Sequence, residues 1–199
     1  MLLDSTRPIG KTLNTSNGRP ETSAGVLPQW HVLRATYARE LKVQDQLREH
    51  GIRTFIPMTW HKSDPATGKQ QKTLVPAITG LVFAQATREA LDAYIRSFGD
   101  ARPVNYYWDR TANRPLTIPD KAMEDFIAVA STMDEDLIYI TEISAKLREG
   151  QTVKVKEGPF KGVEGKIVRI RKSRRILVEL PGMMAVASTY VAPEFLEII

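Results

Sequence analysis

The stretch Gly150 to Ile170, GQTVKVKEGPFKGVEGKIVRI, holds two alternating apolar runs on either side of the core Gly158-Pro159-Phe160-Lys161-Gly162. Val153 and Val155 share one face of the first run, and Lys154 and Lys156 the other, the alternation of a half-buried strand. Val168 and Ile170 share a face of the second run. Between them Gly158 supplies a backbone angle closed to other residues, and Pro159 pre-sets the next. Gly162 and Gly165 frame a second bend where a bulge is expected. Downstream, Ile176, Val178 and Leu180 alternate on one face, Pro181-Gly182 makes a turn, and Met183 to Ala187 and Phe195 to Ile198 complete the set. Five short strands suit a small β-barrel, which manages its own edges. A tight hairpin in some other small barrel is the blander reading.

Upstream the pattern changes to mixed helix and strand. In Gln29 to Thr36, Trp30, Val32 and Arg34 share one face, and His31, Leu33 and Ala35 the other. A helix is expected from Tyr37 to His50, with Tyr37, Leu41 and Gln44 near helical spacing, as are Val43 and Leu47. Ile52 to Trp60 reads as a strand that Pro57 interrupts or confines to an edge. His61 to Gln71 reads as a polar hairpin loop. Strands follow at Lys72 to Pro76 and Gly80 to Gln85, then a helix capped by Thr87 and ended by Gly99. After a strand at Val104 to Trp108, Met123, Phe126, Ile127 and Ala130 mark a third amphipathic helix. The fold class expected is α+β: an N-terminal antiparallel sheet with helices, followed by a small five-stranded SH3-like β-barrel. The boundaries expected are a disordered tail over 1–28, a first domain over 29–130, a linker over 131–148 and the barrel over 149–199.

The 199 residues allow one or two domains and a tail. No apolar run approaches a membrane span, and the N-terminus lacks the apolar core of a signal peptide. Without cysteine, disulfides and thiolate zinc sites are excluded. A cytoplasmic protein without a membrane partner is expected. The net charge of +5 is uneven: residues 145–199 hold 11 basic and 6 acidic residues, and residues 1–144 hold 17 of each. A basic balance suits a nucleic-acid or ribonucleoprotein partner. His31, His50 and His61 lie in different elements without metal-ligand spacing, and no Gly-rich phosphate loop precedes a helix. No catalytic residue, metal or cofactor is expected.

The stretch first quoted resembles the KOW motif, with Val153, Val155, Gly158, Pro159, Phe160, Gly162 and Gly165 standing where that motif places strand, turn and glycine. KOW modules occur in ribosomal proteins and in transcription elongation factors, so the preceding domain decides between them. Trp30-His31-Val32-Leu33, Glu40-Leu41-Lys42-Val43 and Phe55-Ile56-Pro57 are similar to the opening strand, helix and Phe-x-Pro strand of the NusG family. The resemblance covers residues 29–199. Where the family usually carries Phe-Pro-Gly-Tyr-Leu-Phe-Val, this chain reads Ile78-Thr79-Gly80-Leu81-Val82-Phe83-Ala84. That departure resembles the specialised antiterminators of the RfaH and capsule-locus type.

The resemblance implies a transcription elongation and antitermination factor. Its N-terminal domain would bind RNA polymerase through an apolar concavity, with Phe55, Leu81, Phe83 and Tyr107 as candidate lining. The competing reading for each of these is ordinary core. Arg34, Tyr37, Arg39 and Lys42 would meet the non-template DNA strand by phosphate neutralisation and base stacking, or else form a solvated helix start. The turn Gly158-Pro159-Phe160 would expose an aromatic to a ribosomal protein or Rho. The basic run Arg169, Arg171, Lys172, Arg174 and Arg175 would be a solvated tip or an RNA contact. A monomer is expected. The alternative is a ribosome- or RNA-binding KOW protein acting in translation, and a third reading is a nucleic-acid-processing enzyme.

Overall fold

The structure, a computed structural model, describes residues 27–62, 72–144, 147, 149–170 and 172–199. Most of the expected tail, the tip of the 61–71 loop, and Arg171 lie outside the described residues. The elements run β1 (Gln29–Ala35), α1 (Glu40–Glu49), β2 (Arg53–Phe55), β3 (Met58–Lys62), β4 (Lys72–Pro76), β5 (Leu81–Ala86), α2 (Arg88–Arg96), β6 (Val104–Tyr106), β7 (Trp108–Asp109), β8 (Arg114–Pro115), β9 (Thr117–Ile118) and α3 (Asp120–Ala130). They continue with β10 (Ile138–Ile140), β11 (Thr152–Val155), β12 (Glu164–Ile170), β13 (Ser173–Leu180), β14 (Met184–Tyr190) and β15 (Leu196–Ile198).

The first sheet is antiparallel with the order β2-β5-β1-β6, and β9 also pairs with β1. Its central strands are covered on both faces, as the alternation in β1 demands. Leu33, Ala35, Val82 and Ala84 join Val43 and Leu47 of α1 and Leu91, Tyr94 and Ile95 of α2 in one core. Trp30, Val32, Leu81 and Phe83 join Met123, Phe126 and Val129 of α3 in another. Of the expected α1 stripes Val43, Gln44 and Leu47 are buried, whereas Tyr37 and Leu41 point to solvent. Thr87 caps α2 as expected, its hydroxyl accepting from the Ala90 N–H at 3.3 Å. The expected strand Ile52 to Trp60 is broken at Ile56-Pro57, after which β3 leaves the sheet to pair with β4 alone. The expected strand Val104 to Trp108 likewise breaks at Tyr107, whose N–H donates to the Val32 carbonyl at 2.9 Å.

The second sheet runs β10-β14-β13-β12-β11-β15. All five strands expected of the barrel are present, and β10, from the segment expected to link the domains, adds a sixth by pairing with β14. Val153, Val155, Ile176, Val178, Leu180, Met184 and Val186 point inward and pack with the α3 cluster into one continuous core. The helix α3 is therefore shared: it touches β1 on one side and β13 and β14 on the other. Phe126 is the hinge of that contact. Its ring centroid lies 6.3 Å from Phe55, 6.0 Å from Phe83 and 6.3 Å from Tyr139 of β10.

Polar contacts fix the arrangement at the edge. Asp125, buried on α3, accepts from Lys121 Nζ at 2.6 Å and from the Glu164 N–H at 3.3 Å. Lys121 also donates to the Gly162 carbonyl at 3.2 Å, so the KOW turn sits against the helix. On the far side, Glu135 holds Lys62 at 3.7 Å and also Lys72, and the Trp60 indole N–H donates to the Met133 carbonyl at 2.7 Å. The Tyr139 hydroxyl donates to the Met58 carbonyl at 3.1 Å, and burial pushes its pKa up to about 12. The segment 132–140 thus ties the β3–β4 hairpin to the barrel.

Candidate functional site

The four residues expected at an apolar concavity do come together. Phe55 pairs with Phe83 across β2 and β5, Leu81 lies opposite Arg34, and Tyr107 packs on the same cluster. They do not form an open groove here. Leu81 and Phe83 are 0% exposed, and Phe55 and Tyr107 are partly buried. The reason is α3, some forty residues further along, which lays Phe126 over the β5 face. Of the expected Pro, Gly and Tyr before this strand only Gly80 is kept, and the geometry requires it. Gly80 has φ of 78°, a Cβ there would lie 2.8 Å from the Ala35 carbonyl, and its N–H donates to the buried Glu40 carboxylate. That bond locks the start of α1 to the start of β5.

Arg34, Tyr37, Arg39 and Lys42 are all exposed. Tyr37 is 86% exposed and, like Ala38, sits in the left-handed region, with φ of 57° and 50°. A β-strand feeding a helix through two non-glycine left-handed residues is strained, and the strain is held by two bonds from Thr36 to the Pro103 carbonyl, at 2.8 and 3.1 Å. The outcome is an aromatic ring held clear of the surface with the Arg39 guanidinium 5.6 Å from its centroid. Arg39 and Lys42 rim a cleft of about 200 Å³ with Phe98 and Pro103. The arrangement can stack on a flat group and neutralise an anion beside it.

The expectation of an exposed aromatic at the KOW turn needs correction. Gly158 and Gly162 take φ of 84° and 89°, as the turn requires. Phe160 between them is only 5% exposed and packs inward with Val163 and Val191. Backbone bonds within the turn, including Val163 N–H to the Phe160 carbonyl at 3.0 Å and Gly162 N–H to the Val155 carbonyl at 2.8 Å, curl it so that the ring closes the barrel end. Of the expected basic run, Arg175 is buried, donating to the Asp136 and Ser188 carbonyls at 2.7 and 2.8 Å.

One polar network carried no label in the sequence. His31, 4% exposed on β1, meets the Tyr106 ring edge-on at 5.8 Å. The Tyr106 hydroxyl and Arg88 Nε both donate to Asp92 Oδ1 at 2.8 Å. The i,i+4 spacing of Arg88 and Asp92 was the available signal; Tyr106 joins them only through the sheet. Burial, aided by Arg88, lowers the His31 pKa below its usual 6.5, while Tyr106 is raised by burial and by its bond to Asp92. Burial opposes ionisation of Asp92, but the bonds from Arg88 and Tyr106 outweigh it and hold its pKa low. For His31 the unfolded chain binds a proton that the folded one resists, so its contribution to stability is full above pH 6.5 and is lost as pH drops below it; Asp92 has the same sign, but its contribution is full above pH 3.8 and is lost only below that. The Tm of the native chain is expected to fall between pH 7 and 5.5, and His31→Gln to flatten that slope; an unchanged slope in thermal unfolding would remove His31 as its source.

Among the described residues no cluster of three or more His, Asp or Glu side chains is placed to hold a metal ion. No helix among them is long and apolar enough to cross a membrane. A cleft of about 780 Å³ opens between the domains, lined by Trp108, Arg110, Arg114, Pro119, Pro181 and Gly182.

Two family models match this two-domain chain. That described as "Transcription termination factor nusG" matches residues 28–127, and that of the KOW motif matches residues 149–179. A mixed α/β domain of the first kind followed by a β-rich KOW domain defines a class of transcription factor. The chain belongs to the NusG family. It is similar to a solved structure described as "Domain interaction in Thermotoga maritima NusG", with 18% identity, a TM-score of 0.44, and coverage of 86% of this chain and 97% of that chain. A search of curated proteins found no match.

Proposed function

We propose that this protein is an elongation and antitermination factor that binds RNA polymerase through residues 29–130 and recruits a partner through the KOW domain, residues 149–199. It acts without catalysis, as a cytoplasmic monomer, on selected operons. The reading rests on one observation, the pairing of a NusG match and a KOW match in a single chain. Clamping two sides of the polymerase cleft would favour the processive state by differential binding, which disfavours pausing and termination. Arg34, Tyr37, Arg39 and Lys42 serve the non-template strand, which the strained, exposed Tyr37 supports. The polymerase contact falls on the face of Phe55, Leu81, Phe83 and Tyr107. With Leu81 and Phe83 fully buried, that face becomes available when α3 and the barrel shift from where they sit here. Gly158 and Pro159, both exposed, remain the partner-facing part of the KOW turn toward a ribosomal protein or Rho, with Phe160 beneath as support.

The test is binding of the full chain to core RNA polymerase, together with pause dwell times in transcription. Glu164 lies 3.7 Å from Lys121 and 3.4 Å from Lys154. Glu164→Lys places three cations at the seam between α3 and the barrel. Half-exposed ion pairs are worth about 1 kcal/mol, so polymerase affinity is expected to rise roughly fivefold. Equal affinity in the two forms would mean that the barrel does not cover the contact face. No polymerase binding by a folded chain would replace this reading by the ribosome- or RNA-binding one.

A further inference from the structure

We propose that the tip of the β12–β13 hairpin binds the phosphate backbone of a single-stranded nucleic acid, as a site separate from the Tyr37 loop. Arg169 stands directly opposite Arg174 in the β12–β13 ladder, with Ile170 opposite Ser173 closing the tip. Like charges directly opposite one another across an antiparallel pair oppose folding. Lys172 adds a third cation from a left-handed position with φ of 65°. All three side chains are exposed with the barrel docked, and none forms an ion pair among the described residues.

Neighbouring cations in the same domain are used internally. Lys154 pairs with Glu164, and Arg175 is buried on two carbonyls. The repulsion is thus concentrated at the hairpin tip, where no ion pair among the described residues offsets it. The whole excess of positive charge in the chain lies in residues 145–199. An external anion with regularly spaced charges would offset the repulsion, and the planar guanidinium fork suits phosphate oxygens. The ladder holds the two backbone positions side by side, so less backbone freedom is lost when both side chains meet one strand of phosphates. In a transcription factor the polyanion at hand is RNA or unpaired DNA.

The test measures binding of the full chain to fluorescent single-stranded RNA and DNA oligonucleotides of one sequence across a range of salt concentrations. Each phosphate contact on a single strand contributes about 0.7 to the slope of log affinity against log salt. Arg169→Gln/Arg174→Gln is expected to reduce that slope by about 1.4, and so to weaken binding roughly 25-fold at 0.1 M salt relative to a 1 M reference. Because the double variant also removes a repulsive pair, its Tm is expected to equal or exceed that of the native chain. The same loss is expected in an Arg34→Gln/Arg39→Gln/Lys42→Gln background, which separates the two faces. An unchanged slope overturns the proposal, as does a slope carried wholly by the Tyr37 loop. Equal binding to phosphatidylserine vesicles at matched phosphate overturns it in favour of general polyanion attraction, and a lowered Tm makes the cations structural.

Discussion

Phe126→Ala is expected to destabilise the protein by about 4 kcal/mol, the usual loss for a large aromatic in a closed core. At this chain length that corresponds to a fall in Tm on the order of 10 °C. Phe126 is 0% exposed and its ring meets Phe55, Phe83 and Tyr139, which belong to β2, β5 and β10. The cavity would open where both sheets share one helix. Neighbours held by two sheets collapse poorly into a void, which places the cost near the top of the range. Because α3 is common to both halves, urea unfolding should also lose cooperativity, seen as a lower m value. A loss below about 1.5 kcal/mol with an unchanged m value would mean that the domains are only loosely coupled through this helix.

Gly165→Val is expected to unfold the barrel while leaving the first sheet intact. Gly165 pairs with Val153, and a Cβ at position 165 would lie 2.6 Å from both the Leu177 carbonyl oxygen and Ile176 Cγ2. The backbone oxygen cannot move without breaking the β12–β13 ladder, so overpacking here costs about 3 kcal/mol or more. A small barrel has little stability to lose. Near-ultraviolet circular dichroism and amide exchange should show β11–β14 unprotected, with β1 and β5 still protected. Protection retained in β12 and β13 would show that the strands can part to admit a side chain. This close approach, and not a turn angle, is the physical reason for a glycine at position 165.

Much of this was legible locally. Alternation, turn chemistry and capping act within a few residues, so Val153 and Val155, the Gly158 turn, the Thr87 cap and the break at Pro57 could be read directly. Trp30 and Val32 could be placed on one face of β1 and Leu33 and Ala35 on the other, and the structure buries all four. The family followed from such short motifs and their order. Charge was legible as an amount, but its use was not: Arg174 and Arg175 are neighbours in sequence, yet one is exposed and the other is buried on two backbone carbonyls.

What remained was decided by contacts between distant segments. Whether Phe160 faces solvent or core depends on Val163 and Val191 packing with it at the barrel end. Whether Leu81 and Phe83 line a groove or fill a core depends on where α3 settles. The segment 138–140 is apolar in any reading, but becoming a strand required a free edge on β14. His31 could be placed on an inward face of β1, whereas its shifted titration needed Arg88, Asp92 and Tyr106 brought together from α2 and β6. The sequence alone determined elements, their order and their family, because periodicity and turn chemistry are local. Only the tertiary structure decided which apolar and charged side chains stay exposed, because burial is a property of two surfaces and a single segment carries one of them.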